Sequence, residues 1–379
     1  MLSKFGILKM IKTSIIIIGG GLSGLYAAYL LEQAGFKDYL LIEAKDHLGG
    51  RIQSKDEIDL GATWIWPDLN PELMKLVHKL NLPYFYQQSS GEIMFEKQRN
   101  QPAVRISSGS LETPSIRLEG GMESLILALT KDISVDRILF GHQVREITYL
   151  DDRTLSVKVK DHLGTETRFR CHQLLLATPP RLSAHQFKFD PPLSTTTLKH
   201  WSNTPTWMAP HAKYVAVYSE AFWRQQGLSG QARSYAGSLG EIHDASTSSK
   251  HAALFGFFSI PYAIRKEMEA TTLMAHCRAQ LVRLFGSLAA IPQSEYLKDW
   301  SEDECTAVES DWKNPALFHG IAPENTPNQC IWQHRIIGIS SEWSKKYSGY
   351  LAGAIDAAEI GIEQVLSPVK YEKISEIEP

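Results

Sequence analysis

The chain has 379 residues, a net charge of −3, 43% apolar residues and 21% charged ones. That length builds about two domains rather than one, and the composition is that of a soluble globular protein. So small a negative charge offers no field for nucleic acid or an anionic membrane, and no apolar run reaches the ~18 residues that span a bilayer. The start, residues 1–9, is weakly basic but lacks the apolar core and cleavage site of a signal peptide. The four cysteines, Cys171, Cys277, Cys305 and Cys330, are widely spaced. That suits a reducing compartment, so a cytoplasmic location without disulfides is expected. The histidines show no paired ligand spacing, and no metal is expected.

Residues 14–18 form a β-branched run ending on glycine, the pattern of a strand buried on both faces of a parallel sheet. Residues 22–34 carry apolar side chains at helical spacing, and Gly35 closes that helix. Residues 39–43 are a second buried strand, which completes a βαβ opening. Gly120-Gly121-Met122 precedes helical spacing through Leu125, Leu127 and Leu129. Residues 144–149 and 155–159 alternate as strands around an Asp151-Asp152 turn, and 172–177 is a buried strand stopped by Thr178-Pro179-Pro180. Residues 214–218 and 252–258 read as strands of a different, larger sheet. Residues 270–285 read as a helix and 353–366 as an amphipathic last helix.

Gly19-Gly20-Gly21-Leu22-Ser23-Gly24 matches G-x-G-x-x-G between the first strand and the first helix. Gly19 permits the tight turn, Gly21 lets backbone approach a diphosphate, and Gly24 lets helix and strand pack closely. The diphosphate then meets the helix N-terminus, where unpaired N–H groups and the helix dipole favour an anion. Glu43 ends the second strand 19 residues after Gly24 and is placed to accept hydrogen bonds from ribose hydroxyls. Strand, loop, helix and acid together point to a bound dinucleotide.

Glu43-Ala44-Lys45-Asp46-His47-Leu48-Gly49-Gly50-Arg51 resembles the E-A-R-D-R-x-G-G-R signature of the flavin amine oxidase superfamily, which includes the monoamine and polyamine oxidases. The resemblance continues in order along the chain. Asp59-Leu60-Gly61-Ala62-Thr63-Trp64-Ile65 is similar to the family's D/E-L-G-A-T-W-I, and Gly120-Gly121-Met122 to its G-G-M. Ala177-Thr178-Pro179-Pro180 with Phe189-Asp190-Pro191-Pro192-Leu193, Lys213 followed by Phe222-Trp223-Arg224, and Ser348-Gly349-Tyr350-Leu351-Ala352-Gly353-Ala354 resemble further family segments. The implied fold is α/β plus α+β. A Rossmann-type FAD-binding domain, the ββα variant of glutathione reductase, interleaves with a substrate domain on a mixed β-sheet. On this basis residues 12–84, 117–202 and 304–366 are assigned to the FAD domain, 85–116 and 203–303 to the substrate domain, and 367–379 to a polar tail.

The resemblance implies FAD as cofactor, contacted by Gly19, Gly21, Leu22, Ser23, Gly24, Glu43, Ala44, Lys45, Gly50, Arg51, Gly61, Ala62, Thr63, Thr178, Glu342, Gly349, Tyr350 and Leu351, with Val144 holding adenine through its backbone. Lys213 corresponds to the family lysine that holds a water beside the flavin and assists reaction with oxygen; a solvent-facing edge-strand lysine is the other reading. Tyr350 corresponds to one wall of an aromatic cage, against a core tyrosine. Trp300 corresponds to a tryptophan near the flavin, against simple core packing. Trp64 and Trp66 line the substrate cavity or pack.

The chain also departs from the family pattern. The cysteine that tethers flavin in some relatives aligns with Glu309, and Cys305 falls four residues early, so FAD is expected to be non-covalent. The second cage tyrosine aligns with Ser310, which leaves the cage half built. Ser340 stands at a family glycine in Gly338-Ile339-Ser340-Ser341-Glu342. Trp66 replaces a histidine of polyamine oxidases, and Trp64-Ile65-Trp66 lacks the arginine that binds an amino-acid carboxylate. The implied function is oxidation of a small-molecule amine to an imine or aldehyde, with oxygen as acceptor and release of hydrogen peroxide. A desaturase or dehydrogenase of a non-amine, or a decayed flavoprotein serving as a binding module, are the alternatives. No sequence feature calls for a homo-oligomer.

Overall fold

The computed structural model describes residues 11–107, 113–248, 251–316, 318–327 and 331–367. The chain divides into two compact units. Residues up to 50, 126–207 and 316 onward form the first, and residues 51–125 and 208–315 form the second.

The first unit is built on a five-stranded sheet. Its order is Ile138–Leu139, Tyr39–Ile42, Ile15–Ile18, Gln173–Leu176, Ile336–Gly338, and every pairing is parallel. The central strand is four consecutive isoleucines, none more than 4% exposed. A strand covered on both faces needs apolar residues at every position, and each such side chain stabilises by about 1.5–3 kcal/mol. The helix Leu22–Gln33 packs on the last helix, Leu351–Leu366, with the Tyr26 hydroxyl donating to Glu359 at 2.7 Å. Gly35 follows the first helix at φ +73°, a conformation that glycine adopts at little cost. A second sheet, Ile11–Lys12, Glu166–Cys171, Leu155–Asp161, His142–Tyr149 and Lys188–Asp190, belongs to the same unit.

The second unit carries a seven-stranded mixed sheet. Its order is Ser294–Asp299, Ala212–Tyr218, Ala252–Phe258, Leu239–Asp244, Leu228–Ser234, Glu92–Glu96, Val104–Ser107. All pairings are antiparallel except that of Leu228–Ser234 with Glu92–Glu96. Strand Ala212–Tyr218 is buried throughout and sorts its side chains by the two-residue period of a strand. Ala212, Tyr214, Ala216 and Tyr218 pack in the core that includes Leu273, Cys277, Leu281 and Phe285 of the helix Ala270–Phe285. Val215 and Val217 pack instead with Ile58, Leu60 and Phe255. The alternation puts Lys213 on that second face.

The unit boundaries differ from those expected from the sequence. Residues 51–84, 117–125 and 304–315 fall in the second unit, and 203–207 in the first. The hairpin Ser54–Lys55/Ile58–Asp59 is tied to its surroundings by side-chain hydrogen bonds that no periodicity reports. The Met122 N–H donates to the Asp59 carboxylate at 2.7 Å, and Lys213 donates to the backbone of Asp59 and Gly61. Among the described residues no helix is long and apolar enough to cross a membrane. Cys330 lies outside the described residues.

Candidate active site

In the first unit the glycine loop is held by backbone contacts and by one buried carboxylate. Gly19 takes φ +106°, and the Gly49 N–H donates to the Gly20 carbonyl at 2.9 Å, bringing two glycine segments side by side. Gly24 has no room for a side chain: a Cβ there would lie 2.0 Å from the Gly19 carbonyl oxygen and 3.1 Å from Ala177. Gly21 is the opposite case, since its Cβ would meet nothing closer than Gly50 at 3.8 Å. The first turn of Leu22–Gln33 has neither a capping side chain nor an acidic residue. Its leading N–H groups are therefore left for an external anion, and these residues fit a diphosphate. Glu43 is 7% exposed, and its carboxylate accepts from the Gly20 N–H at 2.6 Å and the Lys45 N–H at 2.8 Å. That fixes the acid at the loop, beside Ala44, where a ribose would present its hydroxyls.

Strand His142–Tyr149 meets this corner, because the His142 N–H donates to the Glu43 carbonyl at 3.0 Å. Its register breaks between Val144 and Glu146, which frees backbone groups next to Val144. Thr178 lies against Gly19, and its carbonyl accepts from the Trp343 indole N–H at 3.2 Å. Ser340 sits at φ −69°, an ordinary value for any residue, so the serine strains nothing. Its hydroxyl and that of Ser341 donate to the buried Glu342 carboxylate at 3.2 and 3.0 Å.

Tyr350 precedes the last helix, next to Leu351, and is 43% exposed; it is not a core residue. The imidazole of His319 lies flat on the Tyr350 ring, with centroids 4.1 Å apart and planes at 18°. The indole of Trp207 covers the other side of His319, at 3.9 Å and 27°. Gly349 makes the stack fit, since a Cβ there would come within 2.7 Å of His319 and 2.8 Å of Trp207. Sequence reading missed His319 and Trp207. Each is a single aromatic residue in a loop, without spacing to mark it.

In the second unit Lys213 is 0% exposed, which removes the solvent-facing reading. Its ammonium donates to the Asp59 carbonyl at 3.0 Å, the Gly61 carbonyl at 2.8 Å and the Thr63 hydroxyl at 2.8 Å. It also lies over the rings of Phe255 and Phe257, 4.3 and 5.3 Å from their centroids. Three protein acceptors match the three donors of an ammonium. Burial holds its pKa down to about 7, partly opposed by the charge of Asp59.

The turn that Lys213 grips is closed by the Arg51 carbonyl, which accepts from the Ala62 N–H at 3.2 Å. Trp300 is 1% exposed and donates its indole N–H to Leu60 at 3.1 Å; its ring would lie 3.1 Å from a Cβ on Gly61. A ring so enclosed supports Gly61 by packing, the alternative the sequence left open for Trp300. Trp64 is partly exposed. Its ring lies near His243, Phe255 and Trp66, at 4.9, 5.4 and 6.3 Å, and its N–H donates to Gln87 at 2.9 Å.

Residues 84–359 match the family described as flavin containing amine oxidoreductase, and residues 17–80 match the NAD(P)-binding Rossmann-like domain. The chain belongs to the flavin-containing amine oxidoreductases. Among relatives of the family, a probable flavin-containing monoamine oxidase A of Dictyostelium discoideum is 22% identical over 90% of this chain and 95% of its own. Polyamine oxidase 1 of Zea mays is 38% identical over 74 residues. That alignment covers only 16% of this chain and 15% of the maize protein, so the chain spans a small part of several relatives it matches. Two solved amine oxidoreductases share the fold. A cyclohexylamine oxidase from Brevibacterium oxydans has TM-score 0.77 at 18% identity, covering 96% of this chain and 99% of that one. A putrescine oxidase bound to putrescine has TM-score 0.74 at 18% identity, covering 94% and 100%.

Proposed function

We propose that this flavin-containing amine oxidoreductase holds FAD without a covalent link, oxidises a neutral amine at its α C–H, and passes the electrons to oxygen with release of hydrogen peroxide. The observation that carries the reading is Lys213, wholly buried on the Asp59–Thr63 turn in a chain of this family. A lysine taken out of water at such cost is retained for its charge rather than for packing. When bound, the flavin supplies the two-electron acceptor that the side chains lack. The chain's own part is to bind and orient. Glu43 and the bare first turn of Leu22–Gln33 suit a ribose and a diphosphate, with Gly50 and Arg51 following the second glycine segment. Tyr350, 43% exposed, would offer an aromatic wall, and Trp64 and Trp66, both partly exposed, would face the substrate. The cysteine pattern supports a cytoplasmic location.

Overall, an amine R–CH2–NH2 loses two electrons and two protons to give an imine that water hydrolyses to an aldehyde and ammonia, and O2 gains both to give peroxide. The test is a panel of aliphatic, cyclic and diamine substrates offered to the FAD-loaded protein, with peroxide measured by a coupled peroxidase. Peroxide in proportion to amine is expected. Bleaching of the flavin by an amine without peroxide would overturn oxygen as the acceptor, and no bleaching by any amine would overturn amine oxidation.

A further inference from the structure

Residues opposite one another on adjacent strands share a face of the sheet. In the seven-stranded sheet Lys213 stands opposite Phe257, and Phe257 opposite Glu241. Two residues along, Val215 stands opposite Phe255, and Phe255 opposite His243. Glu241 and His243 therefore lie on the face that carries the Lys213 ammonium. Two strand spacings, roughly 10 Å, separate Glu241 from Lys213 along the row. The strand Leu239–Asp244 pairs through its backbone, so neither polar side chain is needed to hold it in the sheet.

His243 is fixed from three sides. Its ring lies along Phe255, with centroids 5.4 Å apart and planes at 27°, and Trp64 stands across it at 4.9 Å and 70°. Trp64 is itself pinned, because Gln87 accepts its indole N–H and donates in turn to the Asp244 carbonyl at 2.8 Å. The third side is Glu241, whose carboxylate accepts from the His243 Nε2 at 2.6 Å and, on its other oxygen, from Arg233. Burial alone would raise the Glu241 carboxyl, but His243 and Arg233 outweigh it and hold it below the usual carboxylate range. An ionised carboxylate can only accept, so Nε2 carries the hydrogen, and in the neutral ring the lone pair falls on Nδ1. That Nδ1 has no hydrogen-bond partner among the described residues, yet it is not one of the unpaired atoms sealed in the core. Arg233 balances the charge of Glu241, so this corner presents an open acceptor without a counter-charge.

We propose that His243 is a specificity-determining residue whose Nδ1 accepts a hydrogen bond from a hydroxyl group at the far end of the amine substrate, with Glu241 and Arg233 as the positioning residues that fix the ring as an acceptor. The substrate class is then an amino alcohol. A plain alkylamine leaves Nδ1 without a donor. A diamine would bring a second ammonium out of water with no counter-charge to meet it, a cost that a hydroxyl does not bear. Trp64, partly exposed beside His243, supplies apolar surface for the methylenes between the two ends. The inference rests on the proposed function for the reaction at the amine end.

The experiment measures binding of 4-aminobutan-1-ol, butane-1,4-diamine and pentylamine to the full chain loaded with FAD, by calorimetry without oxygen. The flavin is reduced beforehand with dithionite, so no amine can be oxidised and only affinity is read. Wild type should bind the amino alcohol tightest, by roughly tenfold over pentylamine, the worth of one hydrogen bond. His243→Phe keeps a ring against Phe255 and Trp64 and removes Nδ1, and should bring that ratio close to one. Glu241→Gln, whose amide donates as well as accepts, releases the tautomer and should reduce the ratio without abolishing it. Should His243→Phe not fold, Glu241→Gln reads the same ratio. A purely structural role for the Arg233–Glu241–His243 chain predicts equal weakening of all three amines, and that result would overturn the proposal. So would a ratio near one in wild type, a ratio that His243→Phe keeps, or tightest binding of the diamine, which would make Glu241 the acceptor of an ammonium. The two readings fail separately. A hydroxyl preference without peroxide in the oxygen assay would sink amine oxidation and leave the site, and peroxide without the preference would do the reverse.

Discussion

Lys213 shows what one buried charge does to the stability of a protein. An ordinary lysine keeps its proton up to about 10.5, and Lys213 only to about 7. Between those values the unfolded chain binds one proton more than the folded chain. Stability therefore rises with pH through that window and is lost as pH falls toward 7, by about 1.4 kcal/mol per unit. Lys213→Met keeps the length of the side chain and removes the titration. Urea unfolding from pH 10 down to pH 7 should show the variant gaining on wild type at each step; a gap that does not change with pH would mean the lysine is not titrating in this range. The sequence made this residue visible through the motif after it, Phe222-Trp223-Arg224, and Glu43 through its distance from the glycine loop. It did not make the partners visible. Thr63 meets Lys213 from 150 positions away, and His319 covers Tyr350 only because the chain returns there. No local pattern encodes such contacts.

Elements were legible where packing repeats along the chain. The helix Ala270–Phe285 begins and ends at the residues its spacing indicates, and Gly286 at φ +98° explains the stop. The isoleucine strand and its two parallel neighbours follow from apolar runs interrupted only by Gln173 at one strand's edge. Ile336–Gly338 was not legible, because three residues carry no period and the strand exists only beside Gln173–Leu176. The loop between first strand and first helix gives the sharpest test at this scale. Gly24→Ala leaves the helix propensity intact or better, yet sets a methyl group 2.0 Å from the Gly19 carbonyl oxygen. Helix and loop must part, at a cost of about 1–3 kcal/mol, and the N–H groups facing an anion lose their alignment. The substitution should lower the urea midpoint and weaken FAD binding together, read by flavin fluorescence on titration. Unchanged affinity would show that the loop does not hold the diphosphate.

At the scale of the whole molecule, the two sheets were legible but the division between them was not. Residues 51–84 continue directly from the nucleotide loop, and contacts distant in sequence, among them the buried ties of Asp59 and Lys213 and the packing of Ile58 and Leu60 on Val215 and Phe255, draw them into the second unit. Cofactor retention is likewise a property of the whole chain. Where relatives attach flavin covalently they are expected to use a cysteine, and the aligned position is Glu309 here, on the short helix Glu309–Lys313. Cys171 and Cys277 are buried, and burial pushes both thiols up, away from the thiolate that reacts. The remaining described cysteine, Cys305, is half-buried and four residues from that position. Acid precipitation of the yellow protein should therefore leave intact FAD in the supernatant and a colourless pellet. FAD also binds the folded chain and not the unfolded one, so an excess of 100 times its Kd should add about 2.7 kcal/mol to stability. Stripping the flavin should lower Tm, and adding FAD back should restore it in proportion to the logarithm of its concentration. A pellet that stays yellow after acid would show a covalent bond. A Tm indifferent to added FAD would mean that the glycine loop, for all its fit to a diphosphate, does not carry the cofactor.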